Sequence, residues 1–111
     1  MTIFARIIKG ELPADKVYED DKILAIRDIY PQAPVHILIM PKKAYKDIHS
    51  VPEEDISIIG DIVKVAQKIA EEEGIEEGYR LVTNNGASAG QTIFHLHFHL
   101  LGGRSLSGGL G

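Results

Sequence analysis

The chain has 111 residues and a formal charge of −4, enough for one domain with a real core, too little for two, and small enough that a second copy would help bury apolar surface. That charge excludes a large nucleic-acid footprint, which takes clustered Lys and Arg. The absence of cysteine excludes disulfides and thiolate metal sites, and the short apolar runs predict neither a membrane span nor a secretion signal, which points to the cytoplasm.

At the N-terminus Thr2 predicts a cap for a short helix through Ile3, Phe4, Ile7 and Ile8, stopped by Gly10 and Pro13. Val17 to Glu19 and Ile23 to Asp28 read as two strands of a hairpin around Asp20-Asp21-Lys22. Tyr30-Pro31-Gln32-Ala33-Pro34 is a stiff loop, because its prolines remove donors and push the residues before them to extended geometry. Val35 to Met40 then reads as a buried strand whose only polar member is His36.

The long helix is predicted from a capping box, Ser50 with Glu53, followed by Ile56, Ile59, Ile62, Val63, Ala66, Ile69 and Ala70 as one apolar face, with Lys64, Lys68 and Glu72 on the wet side and Gly74 as its end. Tyr79 to Thr83 is a further strand. Asn84 to Thr92 is a polar loop, longer than a tight hairpin needs, whose glycines suit a backbone nest for an anion. The tail, residues 104–111, has little apolar mass and is expected to be mobile or held by a partner subunit.

Gly90 to Gly103 carries the chemistry. His95, His97 and His99 alternate with Leu96, Phe98 and Leu100, so a strand would send all three imidazoles to one face and the apolar residues to the other. A core strand has no use for three polar rings, since burying them costs free energy unless something satisfies them. Zinc is one reading, but on a strand His95 and His99 have Cα atoms about 13 Å apart. One ion would need His97, a neighbour and a third ligand such as His36 or Asp28. The other reading is nucleophilic catalysis at phosphorus, for which neutral imidazole both attacks and leaves well, and His97, flanked on both sides, is the best nucleophile.

His95-Leu96-His97-Phe98-His99-Leu100-Leu101 resembles the histidine triad (HIT) signature. Phe4 through Pro13, Asp28-Ile29, Pro31-Gln32-Ala33-Pro34 with His36, Pro41-Lys42-Lys43 and Gly90-Gln91 resemble its Hint (histidine triad nucleotide-binding) branch across nearly the whole chain. That resemblance implies one HIT domain over residues 1–111 with an α+β fold: a five-stranded antiparallel sheet, one long and one short helix, and a homodimer that extends the sheet to ten strands. It implies a purine nucleoside phosphoramidase that hydrolyses adenosine 5'-phosphoramidates through a nucleotidyl-histidine, with neither metal nor cofactor. The alternatives are a dinucleoside polyphosphate hydrolase and a nucleotide-binding regulatory or scaffold protein. By motif position, His97 is the nucleophile, His99 contacts the phosphate and leaving group, and His95 and His36 orient the set. Asp28 accepts the ribose hydroxyls, and Ile3, Phe4, Ile7, Ile26, Ile29 and Leu38 line the base pocket. Asn84, Gly90, Gln91 and Thr92 hold the phosphate, Thr92 keeping the hydroxyl of the serine often found there. In the transferase branch the third histidine is typically Gln, so His99 favours hydrolysis.

Overall fold

A computed structural model of the chain describes residues 1–107. Its elements are α1 (Ile3–Ile8), β1 (Lys16–Glu19), β2 (Ile23–Arg27), β3 (Val35–Pro41), α2 (Ser57–Glu72), β4 (Tyr79–Val82) and β5 (Phe98–Gly102), with short 3-10 turns at Glu53–Asp55 and Ala87–Ala89. The strands make one antiparallel sheet in the order β1-β2-β3-β5-β4. This is the α+β, HIT-like arrangement that the sequence implies.

Period two sorts the two central strands between two layers. Ile23, Ala25, Ile37 and Ile39 pack with Ile62, Val65, Ala66 and Ile69 of α2. Their alternates Leu24, Ile26, Leu38 and Met40 pack with Phe4 and Ile7 of α1. Burying each of these large side chains stabilises the fold by roughly 1.5–3 kcal/mol. The two layers are unequal, because α2 has 16 residues and α1 has 6. At the usual rise they run about 24 Å and about 9 Å, so α1 leaves part of its sheet face uncovered.

The helix ends show which local signals prevailed. Thr2 caps α1 as expected, its hydroxyl accepting from Ala5 N–H at 3.1 Å, and Gly10 follows with φ +80°. The Ser50–Glu53 capping box does not form. The Ser50 hydroxyl donates instead to Asp47 Oδ1 at 2.6 Å, the Pro52 region opens a 3-10 turn, and α2 begins at Ser57 without a side-chain cap. The apolar face is rotated accordingly: Val65 is buried, whereas Ile56 and Val63 are exposed.

The histidine run also differs from one continuous strand. β5 starts only at Phe98. Upstream, Leu96 N–H donates to the Tyr45 carbonyl at 2.7 Å and the Thr83 hydroxyl to the His97 carbonyl at 2.8 Å, so these groups leave the sheet ladder before His95 and His97. In the tail, Arg104 donates to the carbonyls of Gln32 and Ser105, and the part of the predicted mobile segment beyond Ser107 lies outside the described residues.

Close packing at the end of β5 makes a stability prediction. A Cβ on Gly102 would lie 2.7 Å from Ile75 Cδ1 and 3.2 Å from Ile75 Cβ. Gly102→Ala is therefore expected to lose roughly 1–3 kcal/mol, read as a lower urea midpoint at unchanged slope. Adding Ile75→Val, which removes Cδ1, should recover part of that loss; an unaltered midpoint in Gly102→Ala would contradict this packing.

Candidate active site

The uncovered face receives its polar residues by register. Ile26 and Leu38 face α1, so the next residues on that face are Asp28, just past the end of β2, and His36 at the start of β3. Asp28 N–H donates to the His36 carbonyl at 3.0 Å. Leu38 pairs with His99 and His36 with Leu101, which makes His36 and His99 diagonal neighbours across two strands. Their ring centroids are 5.2 Å apart, and His97 lies 5.2 Å from His99.

Hydrogen bonds decide where each ring carries its proton. Gln32 N–H donates to His36 Nδ1 at 3.0 Å, so Nδ1 holds a lone pair and the neutral ring is protonated at Nε2. That Nε2–H lies 2.9 Å from His99 Nδ1 and 3.4 Å from Asp28 Oδ2. His99 Nδ1 is thereby an acceptor, and the His99 proton sits on Nε2. His97 has the opposite arrangement. Its Nδ1 lies 2.7 Å from the His95 carbonyl oxygen, an atom that only accepts, so Nδ1 is protonated and Nε2 carries the lone pair. The partner that orients His97 is thus the backbone of His95, while the ring on its other side is Phe4 at 4.9 Å. The His95 side chain is 1% exposed and bonds the Pro41 carbonyl through Nε2–H at 2.7 Å. Its Nδ1 has no partner among the described residues and is the unprotonated nitrogen.

Burial pushes all four rings toward their neutral forms. It lowers His36 against the pull of Asp28, lowers His95 against its bond to Pro41, and lowers His97 against its bond to His95. Burial, reinforced by His97 and His36, brings His99 down to about 4.

Beside these rings lies a cavity of about 660 Å³. Ile3, Phe4, Ile7, Ile26, Ile29 and Leu38 line its apolar part, and Asp28, His36, Asn84, Gly90, Thr92, His97 and His99 its polar part. The Asn84 amide and the Thr92 hydroxyl make no hydrogen bond within the described residues. Gly90, at φ +101°, would have only Asn84 Nδ2, at 3.9 Å, in contact with an added Cβ. Two predicted site residues lie outside the wall. Gln91 is buried, its amide bracing the loop through Gly86 N–H, the Lys46 carbonyl and the Ile93 carbonyl. His95 acts on the cavity through its carbonyl and through the edge of its ring against Phe4 at 6.3 Å. Leu12, Pro13, Ala14 and Tyr30 join the wall although sequence reasoning passed over them. They sit in segments read as a helix stop and a stiff loop, where no periodicity marks an inward side chain.

One metal-like cluster is present among the described residues. Ligand atoms of Asp28, His36 and His99 lie within 4.8 Å of one another, a set that includes His99 rather than the His97 that sequence reasoning put first. The cluster does not fit a cation well. A metal on His36 Nε2 needs a lone pair there, which would move the proton to Nδ1 and set it against Gln32 N–H.

Comparisons with known proteins show the family. A family model described as the HIT domain matches residues 9–106. Among solved structures, a HIT family hydrolase from Clostridium thermocellum superposes with TM-score 0.95 at 49% identity, covering 98% of this chain and 96% of that one. A histidine triad nucleotide-binding protein from Candida albicans gives TM-score 0.81 at 36% identity, covering 100% of this chain and 80% of that one. A 14 kDa zinc-binding protein from Zea mays is 50% identical over 108 residues, covering 96% of this chain and 84% of that protein.

The depressed histidines predict a pH dependence of stability. Unfolded rings titrate at 6.5, whereas His99 in the fold titrates at about 4. Below 6.5 the unfolded chain therefore binds more protons. The stabilising contribution is complete above 6.5 and is lost as pH falls toward about 4. The urea midpoint should fall through that window more steeply in the wild type than in His99→Gln, and equal slopes would contradict a neutral His99.

Proposed function

The chain belongs to the HIT domain family, and on that premise we propose that it is a purine nucleoside phosphoramidase of the Hint type, hydrolysing adenosine 5'-phosphoramidates. The observation that carries this reading is the pair of opposed hydrogen-bond settings, from which opposite tautomers follow. His97 offers a lone pair at Nε2 and His99 an N–H at Nε2, side by side at the polar end of an apolar cavity.

In this reading the purine lies among Ile3, Phe4, Ile7, Ile26, Ile29 and Leu38. Asp28 accepts from the ribose hydroxyls. Its Oδ1 already takes Tyr30 N–H at 2.8 Å, which fixes the carboxylate in place. Asn84 and Thr92 stand beside the phosphate, supplying donors where negative charge develops, while Gly90, whose own N–H goes to the Ala87 carbonyl at 3.0 Å, lets the chain pass close by without a side chain. The side chain of Gln91 contributes only by bracing that loop.

His97 Nε2 attacks phosphorus, a P–N bond breaks as an N–P bond forms, and the nucleotidyl group rests on His97. The developing positive charge is eased by the Nδ1–H bond to the His95 carbonyl. His99 Nε2–H donates to the departing nitrogen. Water then cleaves the nucleotidyl-histidine, so that its hydroxyl ends on phosphorus and its second proton restores His99 Nε2–H, giving AMP and R-NH2. Burial supports the scheme, because a protonated His97 would have no lone pair to attack with.

The reading includes a homodimer. β4 is the last strand of the sheet among the described residues, and a second copy joined on that side would continue the sheet to ten strands.

Mixing the protein with an adenosine 5'-phosphoramidate and following AMP release tests the proposal. Wild type should turn over, and His97→Ala should lower kcat by roughly three orders of magnitude or more while still binding AMP. Binding without AMP release in the wild type would replace the enzyme with a nucleotide-binding module.

A further inference from the structure

Arg104 lies beyond the histidine strand and outside the cavity wall. Its Nη2 donates to the Gln32 carbonyl at 2.8 Å and its Nη1 to the Ser105 carbonyl at 2.9 Å. Gln32 is the residue whose N–H donates to His36 Nδ1 at 3.0 Å, and His36 Nε2 in turn meets His99 Nδ1 at 2.9 Å. β5 then runs from His99 to Gly102 and on to Arg104, which closes the circuit. The strand that carries His99 also carries the guanidinium that holds the loop that holds His36.

A second contact presses the same two segments together. Gly103 turns with φ +91°, and a Cβ there would lie 3.0 Å from Pro34 Cβ. The turn after β5 therefore sits directly against the Tyr30–Pro34 loop, with no room for a side chain between them. Two prolines leave that loop few amides with which to hold itself. Its own ties are local: Tyr30 N–H to Asp28 Oδ1 and the Gln32 amide to the Tyr30 carbonyl. Arg104 ties it to another element.

We propose that Arg104 is a positioning residue for the site: by holding the Gln32 carbonyl it fixes the amide that keeps the proton of His36 on Nε2, and through His36 the donor end of His99. The inference rests on reading His99 as the donor to the leaving group. If the Gln32 amide drifts, His36 is free to take either tautomer, and His99 Nε2–H is no longer held in place. The effect is felt where the leaving group needs a donor and hardly at all where it does not.

The test compares wild type, Arg104→Ala and Arg104→Lys in the full chain on two substrates, an AMP alkylamidate and the p-nitrophenyl ester of AMP, whose leaving group departs without a proton. Arg104→Ala should lower kcat on the alkylamidate roughly three- to tenfold, the effect of one hydrogen bond whose charge is screened by solvent. It should leave KM unchanged and alter the ester rate by less than about twofold. Arg104→Lys, which keeps an N–H for the Gln32 carbonyl, should recover most of the difference. Amide exchange gives a readout independent of turnover: Gln32 N–H should exchange faster in Arg104→Ala while the buried Ile39 amide keeps its protection. Equal losses on both substrates with faster exchange throughout would reduce Arg104 to a plain structural role and overturn the proposal, as would unchanged kcat with unchanged Gln32 exchange. If wild type turns over neither substrate, the phosphoramidase reading fails, and Gln32 exchange alone then decides whether Arg104 fixes the loop.

Discussion

The Gln32 amide is a small group with a large consequence. A backbone N–H can only donate, so the nitrogen it meets on His36 must accept. From that one fact the proton positions follow outward, His36 Nε2–H to His99 Nδ1 and so to His99 Nε2–H. A second backbone group, the His95 carbonyl, does the opposite for His97. Main-chain atoms of fixed polarity thus give two adjacent, chemically identical side chains complementary ends. The same amide argues against a metal in the Asp28, His36 and His99 cluster, since it occupies the ring nitrogen that would have to be protonated.

The asymmetry of the sheet supplies the rest of the site. α2 and its core cover one face fully, and α1 covers only part of the other. The apolar residues left over beside Phe4 and Ile7 cannot all be buried by so short a helix and become the wall of the cavity. Catalytic polarity and apolar binding surface therefore come from one design decision, a short helix on the histidine side. The bidentate pair Arg27–Glu73, at 3.0 Å for both bonds, ties the end of β2 to the C-terminus of α2. That clamp holds the strand end from which Asp28 enters the site.

Much of this was legible in the residues. The Thr2 cap, the apolar run of β3 and the two helices follow from spacing and periodicity alone, because each is decided within a few residues, whereas the place of His36 beside His97 and His99 was implied by the family resemblance. What was not legible depended on competing partners that no periodicity marks, some near in the chain and some far. Asp47 took the Ser50 hydroxyl and so denied α2 its cap. Tyr45 took the Leu96 N–H and Thr83 the His97 carbonyl, and the strand ladder begins only at Phe98. Gln91 read as a phosphate ligand by its place in the motif, yet Gly86, Lys46 and Ile93 bury it as a brace. Arg104 looked like the start of a loose tail, since nothing in its neighbourhood announces that Gln32 lies within reach.

The claim on which the account turns is that His97 and His99 are neutral and carry their protons on opposite ring nitrogens. Nitrogen-resolved NMR of the imidazoles in the wild-type protein at neutral pH measures this directly. The account predicts Nδ1–H on His97 and Nε2–H on His99, with neither ring doubly protonated. A His97 protonated at Nε2, or a His99 protonated at Nδ1, would leave no lone pair beside a donor and would contradict it.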